Sequence, residues 1–351
     1  MRGLVSSGLI VLMAATACSS QADPQPTPSV SQSATPQAPT TPPTVNQARV
    51  IATGLKSPWG LAFLPDGSAL VTLRDSGLIE RVVPSATASA QVTTVGQVPG
   101  VNHQAGGENG LLGIAVEPGP DPKAAYVYYS TAAENRIASM SWDGSRLGPP
   151  QTILSGIPAG PFHDGGRMVF GPDGYLYVGT GDARDSASAQ RRSSLGGKIL
   201  RITTSGAAAP GNPFGDSPVW TLGHRNIQGL AFDAQQRLWA SEFGEKTHDE
   251  LNLITKGANY GWPKYEGKGN DPAYADPYVQ WPTAEASPSG LAIIGDWAYM
   301  AALRGKRLWQ VGIANPTPVG PFDLFVGKYG RLRTPAVAPD GSLWIVTSNT
   351  D

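Results

Sequence analysis

The chain is poor in several things that would point to a known chemistry. It has one cysteine in 351 residues, Cys18, so no intramolecular disulfide braces it. It has four histidines, His103, His163, His224 and His248, dispersed and with no thiolate near them in the folded part, which disfavours zinc. Only 15% of its residues are charged and the formal net charge is −1, so there is no basic field for nucleic acid. There is no haem motif, so electron transfer would need a separate acceptor. What it has in quantity is glycine (43) and proline (32), a composition that favours many turns over long helices.

The first 47 residues stand outside the expected fold. Arg2 is followed by a short apolar run, Leu9 to Ala15, and then Ala-Thr-Ala-Cys at 15–18. This pattern reads as an export signal, residues 1–18, ending in a lipobox with Cys18 as the lipidated first residue of the mature protein; the other reading is an ordinary secretory signal with an incidental cysteine. The run is too short for a permanent membrane span. Residues 19–47, rich in Pro, Thr, Ser, Gln and Ala, read as a disordered tether. The expectation is an extracytoplasmic domain, 48–351, held to the membrane only through Cys18.

An internal repeat sets the expected architecture. "GLAFLPDGSALVT" at Gly60, "GIAVEPGPDPKAAYVYYS" at Gly113, "RMVFGPDGYLYV" at Arg167, "GLAFDAQQRLWAS" at Gly229, "GLAIIGDWAYMAA" at Gly290 and "TPAVAPDGSLWIV" at Thr334 each read as a β-hairpin. Their first strands end at Phe63, Val116, Phe170, Phe232, Ile293 and Val337, at intervals of 53, 54, 62, 61 and 44 residues. Six near-regular units predict an all-β, six-bladed propeller of four-stranded antiparallel blades.

In a propeller, residues just before a first strand and just after a second strand share one end. By that alignment His163, Asp182, Glu108, Arg225, Arg331, Arg333 and Gly244 gather at one mouth. Arginines near one axis repel unless an anion bridges them, so the mouth is expected to bind a compact polyanion; pairing of these arginines with local acids such as Asp182 and Glu245 is the alternative. His163 beside Asp182 fits a general base with an orienting carboxylate, or a structural hydrogen-bonded pair. The stretch "SEFGEKTHDELNLITKGANYGWP", 241–263, is rich in oxygen donors of the kind Ca²⁺ takes, without EF-hand spacing.

"GENGLLGIAV" (107–116), "HDGGRMVFGPDGYLYVGTGD" (163–182), "GGKILRI" (196–202), "LGHRNIQGLAFD" (222–233), the 241–263 stretch and "GRLRTPAVAPDGSLWIVTSNTD" (330–351) resemble the soluble PQQ-dependent glucose/sorbosone dehydrogenase family, closest to its bacterial aldose sugar dehydrogenase branch. The resemblance spans roughly Val50 to Asp351. It implies a six-bladed propeller binding pyrroloquinoline quinone (PQQ), a tricarboxylate, and Ca²⁺. It implies that aldose sugars are oxidised at C1 to lactones, with hydride transfer to C5 of the quinone and His163 as base. Asp182 would orient His163, Arg225 would sit by the quinone oxygens with Asn226 in the same region, and Arg304, Arg331 and Arg333 would hold cofactor carboxylates. The carbonyls of Gly244 and Glu245 would ligate the calcium at the quinone, and Glu250 with the Tyr260 carbonyl a second, structural one. The electron acceptor would be external, a quinone or a redox protein. Two positions depart from the glucose dehydrogenase branch: Glu108 stands where that branch has glutamine, and Arg304 where it has lysine. Other readings are a calcium-dependent lactonase on a similar propeller, which would need a carboxylate-ligated axial metal, and a non-catalytic carbohydrate- or protein-binding lipoprotein.

Overall fold

The structure is a computed structural model that describes residues 41–45 and 48–350. The expected signal (1–18, with Cys18) and most of the expected tether lie outside the described residues. Among the described residues no helix is long and apolar enough to cross a membrane.

The chain folds into a ring of antiparallel sheets, each made from consecutive strands. The first blade is β1 (Pro58–Phe63), β2 (Ala69–Leu73), β3 (Leu78–Val83) and β4 (Gln91–Gln97). The second is β5 (Leu111–Val116), β6 (Ala124–Ser130), β7 (Asn135–Ser141) and β8 (Gln151–Ile157). The third is β9 (Gly165–Phe170), β10 (Leu176–Thr180), β11 (Lys198–Ile202) and β12 (Val219–Leu222), with a 3₁₀ turn at Ser186–Gln190. The fourth is β13 (Ile227–Phe232), β14 (Leu238–Glu242), β15 (His248–Ile254) and β16 (Val279–Pro282). The fifth is β17 (Pro288–Ile294), β18 (Trp297–Ala302), β19 (Arg307–Gly312) and β20 (Val319–Leu324). A last hairpin, β21 (Leu332–Val337) with β22 (Leu343–Thr347), makes a two-stranded sheet.

The expectation of six four-stranded blades is therefore corrected: the propeller has five, and β21–β22 stands as a two-stranded sheet. The repeat counted hairpins, and a hairpin supplies only half a blade. Among the described residues neither 48–57 nor 348–350 forms a strand that pairs with that sheet.

Burial explains why the ring holds. Second strands are wholly buried, as in β2, β10, β14 and β18, whereas the outermost β4 and β20 are mostly exposed. Each junction between neighbouring sheets has its own apolar cluster. Leu70, Leu111 and Met140 lie between the first two blades, Tyr128, Met168 and Leu200 between the second and third. Tyr177, Ile199 and Ile227 join the third to the fourth, and Trp239, Leu291 and Met300 the fourth to the fifth. The short sheet is gripped on both sides, Leu332 by Tyr299 and Leu308, Val346 by Val71 and Val82. Val45, inside the expected tether, packs against the same region. Ser57 also donates its amide to Thr350 Oγ1 at 2.8 Å, tying the start of the ring to its end.

The repeated glycine has a steric reason. A Cβ on Gly60 would lie 2.7 Å from Leu112 O, on Gly113 2.0 Å from Gly166 O, on Gly229 2.7 Å from Leu291 N and on Gly290 3.0 Å from Arg333 O. In each case backbone of the next inner strand is among the obstacles, joined at Gly229 by Ser241 Oγ and at Gly290 by Pro335 Cδ, so the glycines help set how tightly the inner strands approach one another. Gly113→Ala is expected to destabilise the fold by about 1–3 kcal/mol through overpacking, read as a lower midpoint in urea with an unchanged slope.

Candidate active site at the propeller axis

His163, one residue pair before β9, adopts φ 62°, a left-handed conformation uncommon for a residue with a side chain. Two backbone contacts hold it: its N–H donates to Glu108 Oε2 (2.9 Å) and its carbonyl accepts from Ala183 N (3.1 Å). Its Nδ1 lies 2.7 Å from Asp182 Oδ1. A carboxylate only accepts, so Nδ1 carries the proton and the Nε2 lone pair is left for a ligand in the neutral ring. No described group bonds Nε2, and the ring edge reaches solvent.

Asp182 is buried at the end of the β10 segment. Besides His163 it accepts from the Arg184 amide (2.8 Å) and from the Trp262 indole N–H (2.8 Å). Burial alone would raise this carboxyl. The hydrogen bond and charge of His163, with the Arg184 and Trp262 donors, outweigh it and hold the group below the ordinary aspartate value. Its neighbour Asp164 shows the contrast: buried, with Oδ2 unpartnered, it is pushed up to about 6.

Asn226 links three blades. Its Oδ1 accepts from Gly165 N (3.0 Å) and Gln228 Nε2 (3.2 Å), and its Nδ2 donates to Glu108 Oε2 (3.1 Å). Glu108 thus spends its charge on His163 and Asn226, away from the arginines. Both ends of the Asn226 amide are used inside the protein.

Arg225 crosses the site. Its amide donates to Glu242 Oε1, its carbonyl accepts from Asp182 N (2.8 Å), and its guanidinium lies 5.5 Å from the Trp262 ring centroid. Glu242 in turn bonds His224 Nδ1 (2.8 Å), whose Nε2 meets Thr221 Oγ1 (2.8 Å). This second His–carboxylate pair is wholly enclosed with both ring nitrogens occupied, so it braces Arg225 and has no lone pair for a substrate. Arg225 Nε and Arg331 Nε are buried without a partner. Leaving such a donor unpaired costs about 1–3 kcal/mol, a cost an anionic ligand removes. Arg333 is buried on β21, with Nε donating to Ser348 Oγ (3.0 Å) and its guanidinium 5.9 Å from the Trp59 ring.

Arg304 and the side chain of Glu245, as distinct from its carbonyl, do not join the cluster. Arg304 is exposed in the turn after β18 with no described partner. The Glu245 side chain is exposed and meets only Lys246 at 3.6 Å. The remaining metal candidates do converge. Gly244, Glu250 and Tyr260 line a small cavity with Arg225, Glu242, Trp262 and Glu266, with room for one water-sized group. Glu250 is pushed up to about 8 by burial and by the charge of Glu242. The amides of residues 245–248 all donate to Glu266 Oε1 and that of Gly244 to Asp249 Oδ1, and among the described residues no donor to the Gly244 or Glu245 carbonyl is seen. Among the described residues no three His, Cys, Asp or Glu side chains form a metal centre. A cation here needs carbonyl oxygens beside a carboxylate, a donor set that fits Ca²⁺.

The outline is that of a propeller enzyme, with a His–Asp dyad bonded through Asp182 N to the backbone of Arg225, whose buried Nε has no partner. The sequence profile of the glucose/sorbosone dehydrogenase family matches residues 55–351, and the chain belongs to that family as a sugar dehydrogenase. A solved structure of the PQQ-bound aldose sugar dehydrogenase of Streptomyces coelicolor is 51% identical, covering 88% of this chain and 94% of its own, with a TM-score of 0.83. Aldose sugar dehydrogenase YliI of Escherichia coli is 29% identical over 88% of this chain and 91% of its own. Quinoprotein glucose dehydrogenase B of Acinetobacter calcoaceticus is 35% identical over 65% of this chain and 54% of its own.

Sequence reasoning missed Trp262 and the bracing role of Glu242. Trp262 and Glu242 sit in the quoted 241–263 stretch, but nothing in their spacing shows that one donates to Asp182 and the other fastens Arg225. Trp262→Phe removes one donor from Asp182 while keeping a ring against Arg225. The Asp182 carboxyl then moves up toward its ordinary value, and stability falls by about 1 kcal/mol at neutral pH. A lowered carboxyl stabilises the fold above the unfolded value, near 3.8, and ceases to do so as pH falls through the folded value. The wild-type advantage in urea denaturation is therefore expected in full at pH 7 and to shrink as pH falls below 3.8.

Proposed function

We propose that the chain oxidises aldose sugars at C1 to lactones with PQQ and Ca²⁺ bound at the axial pit. The observation that carries this reading is the pairing of a His163 Nε2 left free by the Asp182 bond with buried, unpartnered nitrogens on Arg225 and Arg331. The PQQ-bound state of the Streptomyces relative supports it.

Arg225, Arg331 and Arg333 would hold the negative charges of the cofactor, and the Gly244 and Glu245 carbonyls its calcium. Glu250 and the Tyr260 carbonyl would hold a second ion in the adjoining cavity. When bound, PQQ supplies the two-electron acceptor and calcium the Lewis acidity beside it. His163 Nε2 takes the proton from the sugar's C1 hydroxyl. Asp182 keeps the ring in the tautomer that allows this and stabilises the imidazolium that results. The Arg225 guanidinium meets negative charge that grows during the reaction, as a fixed cation needing little reorganisation. Glu108 and Asn226 hold His163 and β9 in place, and on this geometry they act on the ligand only indirectly. Arg304, exposed, would reach the cofactor only by movement of its turn. The export signal and Cys18 support an extracytoplasmic, lipid-tethered enzyme that passes electrons to a separate quinone or redox protein.

Reconstitution tests the reading. Protein given Ca²⁺ and PQQ is expected to reduce an artificial acceptor with aldoses. His163→Ala is expected to cut kcat/KM by about 10²- to 10⁴-fold while PQQ still binds. Lactone hydrolysis without PQQ would mark a lactonase, and verified PQQ binding with no aldose oxidation a binding module. For the metal, Ca²⁺ at about 100 times its Kd is expected to stabilise chelator-treated protein by about 2.7 kcal/mol. Glu250→Gln is expected to abolish much of that increment, and a melting temperature indifferent to calcium would remove the second site.

A further inference from the structure

Among the inner strands lies a buried cation, Arg167, whose described contacts include no acid. Arg167 lies on β9, two residues in from Gly165, and is 7% exposed. Its Nε donates to Gln228 O on β13 (2.8 Å) and its Nη2 to Thr334 Oγ1 on β21 (3.1 Å). Its guanidinium lies over Trp59 of β1, 4.2 Å from the ring centroid, and Arg333 approaches the same ring at 5.9 Å. Four inner strands therefore surround one guanidinium, and its contacts are a carbonyl, a hydroxyl and an aromatic face. Among the described residues no carboxylate pairs with it.

Isolated buried charges are costly, and proteins normally pair them. Burial first, and then the charge of Arg333, lower the Arg167 guanidinium to about 9, still protonated at neutral pH. A chain of contacts leads from it to the pit. Arg167 bonds Gln228, whose side chain bonds Asn226, which bonds the Glu108 that holds His163.

We propose that Arg167 is an anion-binding element in the floor of the pit, whose charge is compensated by the bound polyanionic ligand and not by a protein carboxylate. The inference rests on the cofactor reading above for the identity of that ligand, but its logic requires only a compact polyanion. Arg167 acts as a fixed charge beneath the ligand, supplementing the edge contacts of Arg225 and Arg331. The same charge makes the empty protein less stable than a neutral side chain of that size would.

The test uses Arg167→Met, which keeps the length and the contact with Trp59, and Arg167→Lys, which keeps the charge. Three quantities are measured: urea stability of the cofactor-free protein, PQQ affinity by quenching of tryptophan fluorescence, and stabilisation of the cofactor-free protein by citrate. The expected result for Arg167→Met is unchanged or higher stability without ligand, a Kd for PQQ raised at least tenfold, and loss of most of the citrate effect. Arg167→Lys should retain most of the PQQ affinity. Lower stability of cofactor-free Arg167→Met, or failure to fold, overturns the proposal and makes Arg167 a structural pin; so does an unchanged Kd. If the wild type binds no PQQ, the cofactor reading fails on its own, and citrate then decides the question. Stabilisation by citrate that depends on Arg167 supports the anion site, and indifference to Arg167 overturns it.

Discussion

The inner strands close on the axis until the backbone of one blade touches the backbone of the next, and that contact governs the rest of the molecule. At Gly113 a single methyl group would land 2.0 Å from a carbonyl oxygen of the third blade. Strands held this near each other leave no freedom in where their ends emerge. The segments before β9 and β13 and after β10 and β14 are thereby brought side by side, although they span residues 163 to 244. Once there, they are joined by side-chain bonds between blades, of which those of Asn226 and Asp182 are the most connected.

The distribution of charge in the pit has a direction. The carboxylates are consumed by the protein: Glu108 by a backbone amide and Asn226, Asp182 by an imidazole, an amide and an indole, Glu242 by Arg225 N and His224. The guanidiniums of Arg225 and Arg331 keep buried nitrogens unspent, and Arg167 keeps an unmatched charge. Carboxylates held by neutral donors, beside guanidiniums that meet no carboxylate, make a setting that would suit an anion. That inequality, more than the number of arginines, separates a ligand site from a web of loop-holding ion pairs.

Much of this was legible in the chain because hairpins announce themselves. Turn residues between apolar strands placed all six, and the offset of His163 and Asp182 from Phe170 placed the dyad at one end. The number of complete blades was not legible, because third and fourth strands such as β12 and β16 are short, irregularly spaced and partly exposed. Pairing across blades was also hidden. Glu108 was placed at the mouth by its offset alone, and only the fold shows its bonds to His163 N and Asn226. Arg304 carried the expected charge in the expected turn, yet exposure and the lack of a described partner set it apart. Trp262 looked like part of a calcium-binding loop, and only the fold brought its N–H to Asp182.

The central claim is that these groups share one pit built for one polyanionic redox molecule. A crystal structure of the protein soaked with PQQ and Ca²⁺ tests it most directly. The account predicts one cofactor per chain on the axis, with its carboxylates on Arg225, Arg331 and Arg333, His163 Nε2 facing its ring, and a metal at the Gly244 and Glu245 carbonyls. Cofactor density on the outer wall or at the opposite mouth, with Arg225 and Arg331 still unpartnered, would contradict it.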